Sequence, residues 1–130
     1  MNTMIRTLPC PCDNEKNYSE CCSAYLDEGK FAPSAETLMR SRYTAYVLQR
    51  NDYLMKTWHP ETRPINLNLI TDQSKWLGLT VKRSEQTAPD QAIVEFIARY
   101  KVNGKAQRLH EISRFKCIDK QWYYLDGHIL

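Results

Sequence analysis

Four cysteines stand close together near the start of the chain, at Cys10, Cys12, Cys21 and Cys22. Their C-x-C-x8-C-C spacing offers two pairs of soft ligands, as a tetrahedral metal site requires. Almost no apolar residues separate the pairs, so a bound metal would have to supply the local folding free energy. A reactive dithiol is the alternative, although such sites usually carry C-x-x-C. We expect Zn²⁺ in a structural role, because four thiolates leave no position open for a catalytic water.

Length and charge narrow the classes of protein that this chain can belong to. Its 130 residues fit one domain with a small appendage. The 18 basic and 15 acidic residues are well mixed and give a net charge of +3, which does not favour a nucleic-acid or membrane surface. No apolar run approaches a membrane span, and residues 1–9 lack the apolar core of a secretory signal. We therefore expect a cytoplasmic protein that binds neither nucleic acid nor membranes.

Two helices are predicted after the cysteine cluster. Ser34 is a suitable N-cap, and an apolar stripe with Arg42 at its middle follows over residues 35–50. A second, short helix is predicted from Asn51 to Trp58, since Pro60 stops it. Residues 61–74 are ambiguous, because their alternating apolar residues fit a strand and their Asn and Asp residues also permit a short helix.

From Trp76 onwards the hydrophobic period changes to two, which is typical of strands. Leu77, Leu79 and Val81 are expected to share one face. Asn103-Gly104 is a favoured hairpin turn, and Asp126-Gly127 is predicted to end the last strand. The predicted strands are 76–82, 92–102, 107–117 and 121–125. Helices followed by an antiparallel meander indicate the α+β class.

One group of side chains is expected to line a pocket between the helices and the sheet. Alternation places Glu111 and Ser113 on the inner face, opposite Arg42, so an Arg42–Glu111 ion pair is predicted. His110 has the opposite parity and is expected on the outer face. The same residues can instead be a buried structural ion pair within an aromatic core. The candidate pocket residues are Arg42, Tyr43, Tyr46, Trp58, Trp76, Glu111, Ser113 and Tyr124.

The cysteine segment resembles the SEC-C motif, a small zinc knuckle. The matching positions are Cys10, Pro11, Cys12, Lys16, Tyr18, Cys21 and Cys22. The strings that follow are similar to the YchJ family of uncharacterised bacterial proteins, among them Leu38-Met-Arg-Ser-Arg-Tyr-Thr-Ala-Tyr46 and His110-Glu-Ile-Ser-Arg-Phe115. The resemblance implies a zinc knuckle at residues 1–24 and an NTF2-like body at 25–130, in which helices pack on a curved sheet. It implies no established biochemical role.

Two hypotheses for the function follow. In the first, the protein is a cytosolic adaptor whose zinc knuckle binds another, unknown protein. In the second, the body is a small enzyme or a small-ligand binder, in which Arg42 holds an anionic group and Glu111 or His110 acts as acid or base. The chain carries no recognisable catalytic motif, which favours the first hypothesis.

Overall fold

Short helices come before a four-stranded antiparallel sheet, as the α+β prediction requires. The structure is a computed structural model that describes residues 8–12, 15–65, 67 and 74–130. Its elements are a 3-10 helix (Tyr18–Glu20), helices α1 (Ser23–Leu26), α2 (Ala35–Val47) and α3 (Asn51–Lys56), and strands β1 (Lys75–Ala88), β2 (Gln91–Val102), β3 (Lys105–Ile118) and β4 (Gln121–Ile129). No helix in these ranges is long and apolar enough to cross a membrane.

Helix α2 is the central element, because it is covered on two sides. The Ser34 hydroxyl caps it as predicted and accepts a hydrogen bond from the Thr37 N–H at 3.2 Å. On one side, Tyr43 packs edge-to-face against Trp76 of the sheet, with ring centroids 5.7 Å apart. On another side, Thr44 contacts the cysteine cluster and is completely buried. A helix buried on several sides has no simple polar face, which explains the weak amphipathic pattern of its sequence.

The sheet is a meander in which each strand pairs with the next, in the order β1-β2-β3-β4. Asn103 and Gly104 connect β2 to β3 with φ angles of 52° and 78°. Positive φ at both positions is what a two-residue hairpin turn of this kind requires, so this turn is as predicted. Val94, Phe96 and Phe115 are buried on the inner face, beneath α2.

The alternation predicted for β1 is wrong at its first residues. The pairing with β2 shifts register between Trp76 and Gly78, so Leu77 is an extra residue in a β-bulge. As a result Trp76 and Leu79 lie on the inner face, whereas Leu77 remains 45% exposed. A period of two cannot reveal such an insertion, because the bulge resets the parity of every residue before it.

The turn predicted at Asp126-Gly127 is also wrong. Strand β4 continues to Ile129, and Asp126 and Gly127 are paired with Arg114 and Ser113 of β3. The Arg114 guanidinium donates two hydrogen bonds to the Asp126 carboxylate across the strands. This cross-strand pair keeps a residue with a low strand propensity inside the ladder.

The ambiguous segment 61–74 is described only at residues 61–65, 67 and 74. Ile65 is almost fully exposed, and the carbonyl of Leu67 accepts a hydrogen bond from the Asn51 side chain at 2.7 Å. The expectation of a strand or a helix at residues 66 and 68–73 lies outside the described residues.

Candidate functional site

The four cysteines of the N-terminal motif converge in the structure. Their sulfur atoms all lie within 4.8 Å of one another, and Cys10, Cys12 and Cys22 are almost completely buried. The Cys12 and Cys21 sulfurs are 3.6 Å apart, and those of Cys21 and Cys22 are 3.9 Å apart. A tetrahedral site with metal–sulfur bonds of about 2.3 Å places its sulfurs about 3.8 Å apart. The donor set and its spacing therefore fit one metal ion held by four thiolates.

Local backbone hydrogen bonds bring the two cysteine pairs together. The Cys10 N–H donates to the Lys16 carbonyl at 2.7 Å, and the Tyr18 N–H donates to the Leu8 carbonyl at 3.0 Å. The turn between these contacts includes Glu15, which has a φ of 58°. Asp13 and Asn14, residue types that tolerate tight turns, precede Glu15 but lie outside the described residues. The closed loop places the first cysteine pair over Cys21 and the start of α1.

The thiols of the cluster share hydrogen bonds, which perturbs their protonation. Hydrogen bonds from Cys12 and Cys22 lower the pKa of the Cys10 thiol to about 2. Hydrogen bonding to Cys10 raises the pKa of Cys12 and of Cys22. A divalent cation at the centre would replace these shared protons, as ligation by thiolates requires.

The cysteine segment is fixed to the body by polar contacts with α2. The Thr44 hydroxyl donates to the Cys22 sulfur at 3.3 Å and lies 3.7 Å from the Cys10 sulfur. The Arg40 guanidinium, one turn earlier, donates to the Cys12 carbonyl at 2.8 Å. Sequence reasoning missed both contacts. The available signal was the spacing of four residues between Arg40 and Thr44, which puts two polar side chains on one face of a helix.

A second anchor lies at the end of α1. The Arg50 guanidinium donates to the Leu26 carbonyl at 2.9 Å and pairs with the Asp27 carboxylate, also at 2.9 Å. The same carboxylate accepts a hydrogen bond from the hydroxyl of Tyr18, a side chain with no exposed surface. The cysteine segment is therefore a docked part of the structure.

A cavity of about 260 Å³ lies between α2 and the inner face of the sheet. All of the predicted pocket residues except Trp58 line it. Trp58 lies just behind the wall, with its ring centroid 5.0 Å from the Arg42 guanidinium carbon. The lining residues are Met39, Arg42, Tyr43, Tyr46, Trp76, Phe96, Ala98, Leu109, Glu111, Ser113 and Tyr124.

Arg42 is the buried cation of this cavity. One of its terminal nitrogens donates to the Leu54 carbonyl at 2.8 Å and to the Thr57 hydroxyl at 2.7 Å. Its guanidinium carbon lies 5.0 Å from the ring centroid of Trp58 and 4.6 Å from that of Tyr124, a cation–π arrangement. Burial lowers the pKa of Arg42 from its ordinary value. No described residue accepts a hydrogen bond from its remaining two nitrogens.

The predicted Arg42–Glu111 ion pair is wrong, although both residues line the cavity. Among the described residues no carboxylate lies within 4.0 Å of Arg42, and its partners come from the C-terminal end of α3, where backbone carbonyls lack helical donors. Glu111 instead accepts a hydrogen bond from the Ser113 hydroxyl. Parity assigned each residue to the correct face, but it could not assign the distance between them.

The Glu111 carboxylate depends on the absence of a side chain at position 127. A Cβ atom at Gly127 would collide with Oε2 of Glu111. Tyr124, beside it, has a raised pKa because of burial and, after that, because of the nearby Glu111 charge. The cavity therefore contains one cation and one carboxylate, surrounded mainly by aromatic and aliphatic side chains.

His110 does not belong to this cavity. It lies on the outer face of the sheet, as its parity predicted, and its Nε2 atom is 2.7 Å from the Glu95 carboxylate. The hydrogen bond from His110, followed by that from Arg83, holds the pKa of Glu95 below its usual value. The proposal that His110 acts as acid or base inside the pocket is therefore wrong.

Comparisons with known proteins agree with this geometry. Residues 34–127 match the family model for the middle, NTF2-like domain of YchJ. A UPF0225 protein of Bordetella pertussis is 49% identical over 122 residues and covers 92% of each chain.

Two solved structures share the fold. The solution structure of a SEC-C motif containing protein from Rhodopseudomonas palustris has a TM-score of 0.85 and 35% identity, covering 95% of this chain and 99% of its own. The crystal structure of a SEC-C motif containing protein from Psychrobacter arcticus has a TM-score of 0.82 and 28% identity, covering 98% and 86%. With its cysteine cluster docked on an NTF2-like domain, the chain belongs to the YchJ family of SEC-C motif proteins.

Proposed function

We propose that this protein binds a small, anionic, ring-bearing molecule in the cavity beneath α2. The observation that supports this most directly is Arg42, a buried guanidinium that lines the cavity, has no described carboxylate within 4.0 Å and donates its described hydrogen bonds through one terminal nitrogen. The Glu111 carboxylate acts on this charge electrostatically from within the same cavity but forms no ion pair with it, so the desolvated guanidinium has no acceptor among the described residues for its other two nitrogens. A carboxylate on a ligand would supply the missing acceptors as a charge-assisted, two-point contact.

The volume and lining of the cavity limit the class of ligand. An apolar cavity of about 150 Å³ accepts benzene, so 260 Å³ suits one ring with a few substituents. The aromatic walls formed by Tyr43, Tyr46 and Trp76 favour a planar ring. Glu111 would accept a hydrogen bond from a hydroxyl or amino group on the side of the ligand away from Arg42. The proposed ligand is therefore a monocyclic carboxylate that carries a second, donating group.

A test of the cavity needs a variant that fills it without removing its charges. Ala98 is buried and lines the cavity, so Ala98→Leu should occupy part of the volume. Ala88→Leu adds the same atoms at the end of β1, outside the cavity lining, and is the matched control. A panel of hydroxy- and amino-substituted benzoates and phenylacetates is screened by thermal shift, and hits are measured by calorimetry.

The expected result is that one chemical series stabilises the wild type and Ala88→Leu but not Ala98→Leu. If no member of the panel stabilises the wild type, or if Ala98→Leu responds as the wild type does, the proposed ligand class is wrong. Glu111→Gln tests the contact at the donating end of the ligand, because it should weaken the binding only of those compounds that carry the donating group.

For the cysteine cluster we propose Zn²⁺ in a structural role. Four thiolates in a closed tetrahedron suit zinc or an iron–sulfur centre, and they leave no coordination position for a substrate or a catalytic water. The thiols form no disulfide, which suits the reducing cytoplasm that we propose as the compartment. Elemental analysis and native mass spectrometry of the purified protein should give one zinc per chain. One iron per chain, or visible iron–sulfur absorption, would contradict the assignment.

The second candidate function is recognition of another protein by the docked cysteine segment. The supporting observation is Leu8, an apolar side chain that is 54% exposed and lies two residues before the metal-competent cysteine cluster. The partner is unknown. Quantitative affinity capture should recover a protein with the wild type and with Leu130→Ser, a control that removes an equally exposed leucine at the other end of the described chain. Leu8→Ser should lose that protein, and equal recovery by all three forms would exclude this surface.

A further inference from the structure

The outer face of the sheet has two halves that differ in how their charges are compensated. In the half nearest the β1–β2 turn, each arginine lies beside a carboxylate. Arg83 is 3.4 Å and His110 is 2.7 Å from the Glu95 carboxylate, and Arg114 pairs with Asp126. This half is the ordinary case, in which exposed cross-strand ion pairs stabilise a solvated sheet.

In the other half, cations face cations. Arg99 of β2 lies directly opposite Arg108 of β3, and Lys75 of β1 lies directly opposite Lys101 of β2. All four are exposed, and no acidic side chain of the described residues pairs with any of them. The undescribed residues 68–73 contain a single acid, Asp72, which cannot neutralise four cations. Like charges directly opposite one another destabilise a sheet, so this arrangement has a cost to folding.

The same half carries an apolar depression between the cations. The β-bulge turns Leu77 outwards, and it forms the floor of an open groove of about 630 Å³ together with Ile97 and Ala106. Arg99 and Arg108 form its rim. An exposed leucine in a groove rimmed by two arginines is typical of a binding surface, where an apolar anchor is surrounded by polar contacts.

We propose that this groove docks an acidic segment of another protein, with one aliphatic side chain of that segment seated on Leu77 and its carboxylates on the arginine pair. Charge complementarity supports a peptide, because the arginine forks match carboxylates in a two-point geometry. None of the described residues that line the groove is aromatic and could stack on a base, which disfavours single-stranded nucleic acid. A nucleic-acid backbone would also offer no apolar group to contact the floor of the groove.

The test uses fluorescently labelled peptides with the full chain and measures binding by anisotropy. The probe is a short peptide in which one leucine is flanked on both sides by glutamates. The control peptides replace the leucine by serine or the glutamates by glutamines. Arg99→Gln/Arg108→Gln removes the rim, and Lys116→Gln/Lys120→Gln removes the same charge from the opposite end of the sheet.

The wild type and the Lys116/Lys120 variant should bind the probe, and the Arg99/Arg108 variant should bind it at least about tenfold more weakly, as expected for loss of charge-assisted contacts. Both control peptides should also bind more weakly. The melting temperature of the Arg99/Arg108 variant should be equal to or above that of the wild type, since two opposed like charges have been removed.

Three outcomes would overturn the proposal. The first is equal binding by the two double variants. The second is preference of the wild type for an oligothymidine or for vesicles containing phosphatidylserine over the acidic peptide, which would indicate a phosphate surface. The third is absence of binding to the probe at low ionic strength, where such contacts are strongest.

Discussion

Thr44→Val is the substitution that most directly tests how the cysteine cluster is attached to the body. Valine has nearly the same shape as threonine but lacks the hydroxyl that donates to the Cys22 sulfur at 3.3 Å. Thr44 has no exposed surface, so water cannot replace the lost donor. The substitution therefore removes one hydrogen bond to a sulfur of the proposed metal site and leaves the packing of α2 almost unchanged.

The expected magnitude follows from two independent values. A hydrogen bond to a charged group contributes about 1.5–3 kcal/mol. Loss of a residue that supports a metal ligand typically reduces metal affinity about 10–100-fold, which corresponds to about 1.4–2.7 kcal/mol. The two ranges agree, so we expect Thr44→Val to weaken zinc binding by about 10–100-fold. The melting temperature should fall when zinc is limiting and recover when zinc is in excess.

The assay is competition for zinc with a chromophoric chelator, and Ser41→Ala is the matched control. Ser41 lies one turn earlier on the same helix, is equally buried, and hydrogen-bonds the Leu38 carbonyl and the Tyr53 hydroxyl, each at 2.8 Å. Its loss should lower the melting temperature without changing zinc affinity. If Thr44→Val retains wild-type zinc affinity, or if both variants lose it equally, the hydroxyl does not support the metal site and the reasoning fails.

Three further predictions concern the body. Arg42→Met should lower the free energy of unfolding by about 2–4 kcal/mol in urea, because two buried acceptors lose their donor; an unchanged midpoint would contradict this. Gly127→Ala should displace the Glu111 carboxylate with little loss of stability, visible as altered chemical shifts around the cavity, and an unshifted spectrum would refute it. The pKa of Glu95 is held low chiefly by His110, so the stability that this ionised carboxylate contributes is complete above its ordinary pKa of 4.5 and is lost as the pH falls through the lower pKa of the folded state. Glu95→Gln should therefore flatten the decline of the melting temperature in that acidic range. An equal slope in the variant and the wild type would contradict this linkage.

The convergence of the four cysteines could be predicted from sequence because its geometry is local. Cys10 and Cys22 are separated by few residues, so a closed loop between them brings the cysteines together. Four clustered thiols are in turn a typical donor set for a metal. The cavity wall could be predicted in part, since strand parity assigns Glu111 to the inner face and helical spacing assigns Arg42 to the same space.

What could not be predicted depends on how elements sit relative to one another. The partner of Arg42 is a carbonyl at the end of α3, and the angle at which α3 docks is set by packing that no short sequence pattern records. The bulge at Leu77 could not be predicted for a related reason, since the sequence shows the same alternation of apolar residues whether or not one residue is inserted as a bulge.

The cysteine segment packs on α2, so the domain that is recognised in the sequence is smaller than the part of the chain that must fold together. The recognisable NTF2-like region starts at residue 34, yet a chain cut there would lose the contacts of Thr44 with the Cys10 and Cys22 sulfurs. The helix that roofs the cavity is held on its far side by cysteines. With the metal that we propose for the cluster, the supply of that metal to the cell would then influence how much of the protein reaches the folded state that contains the cavity.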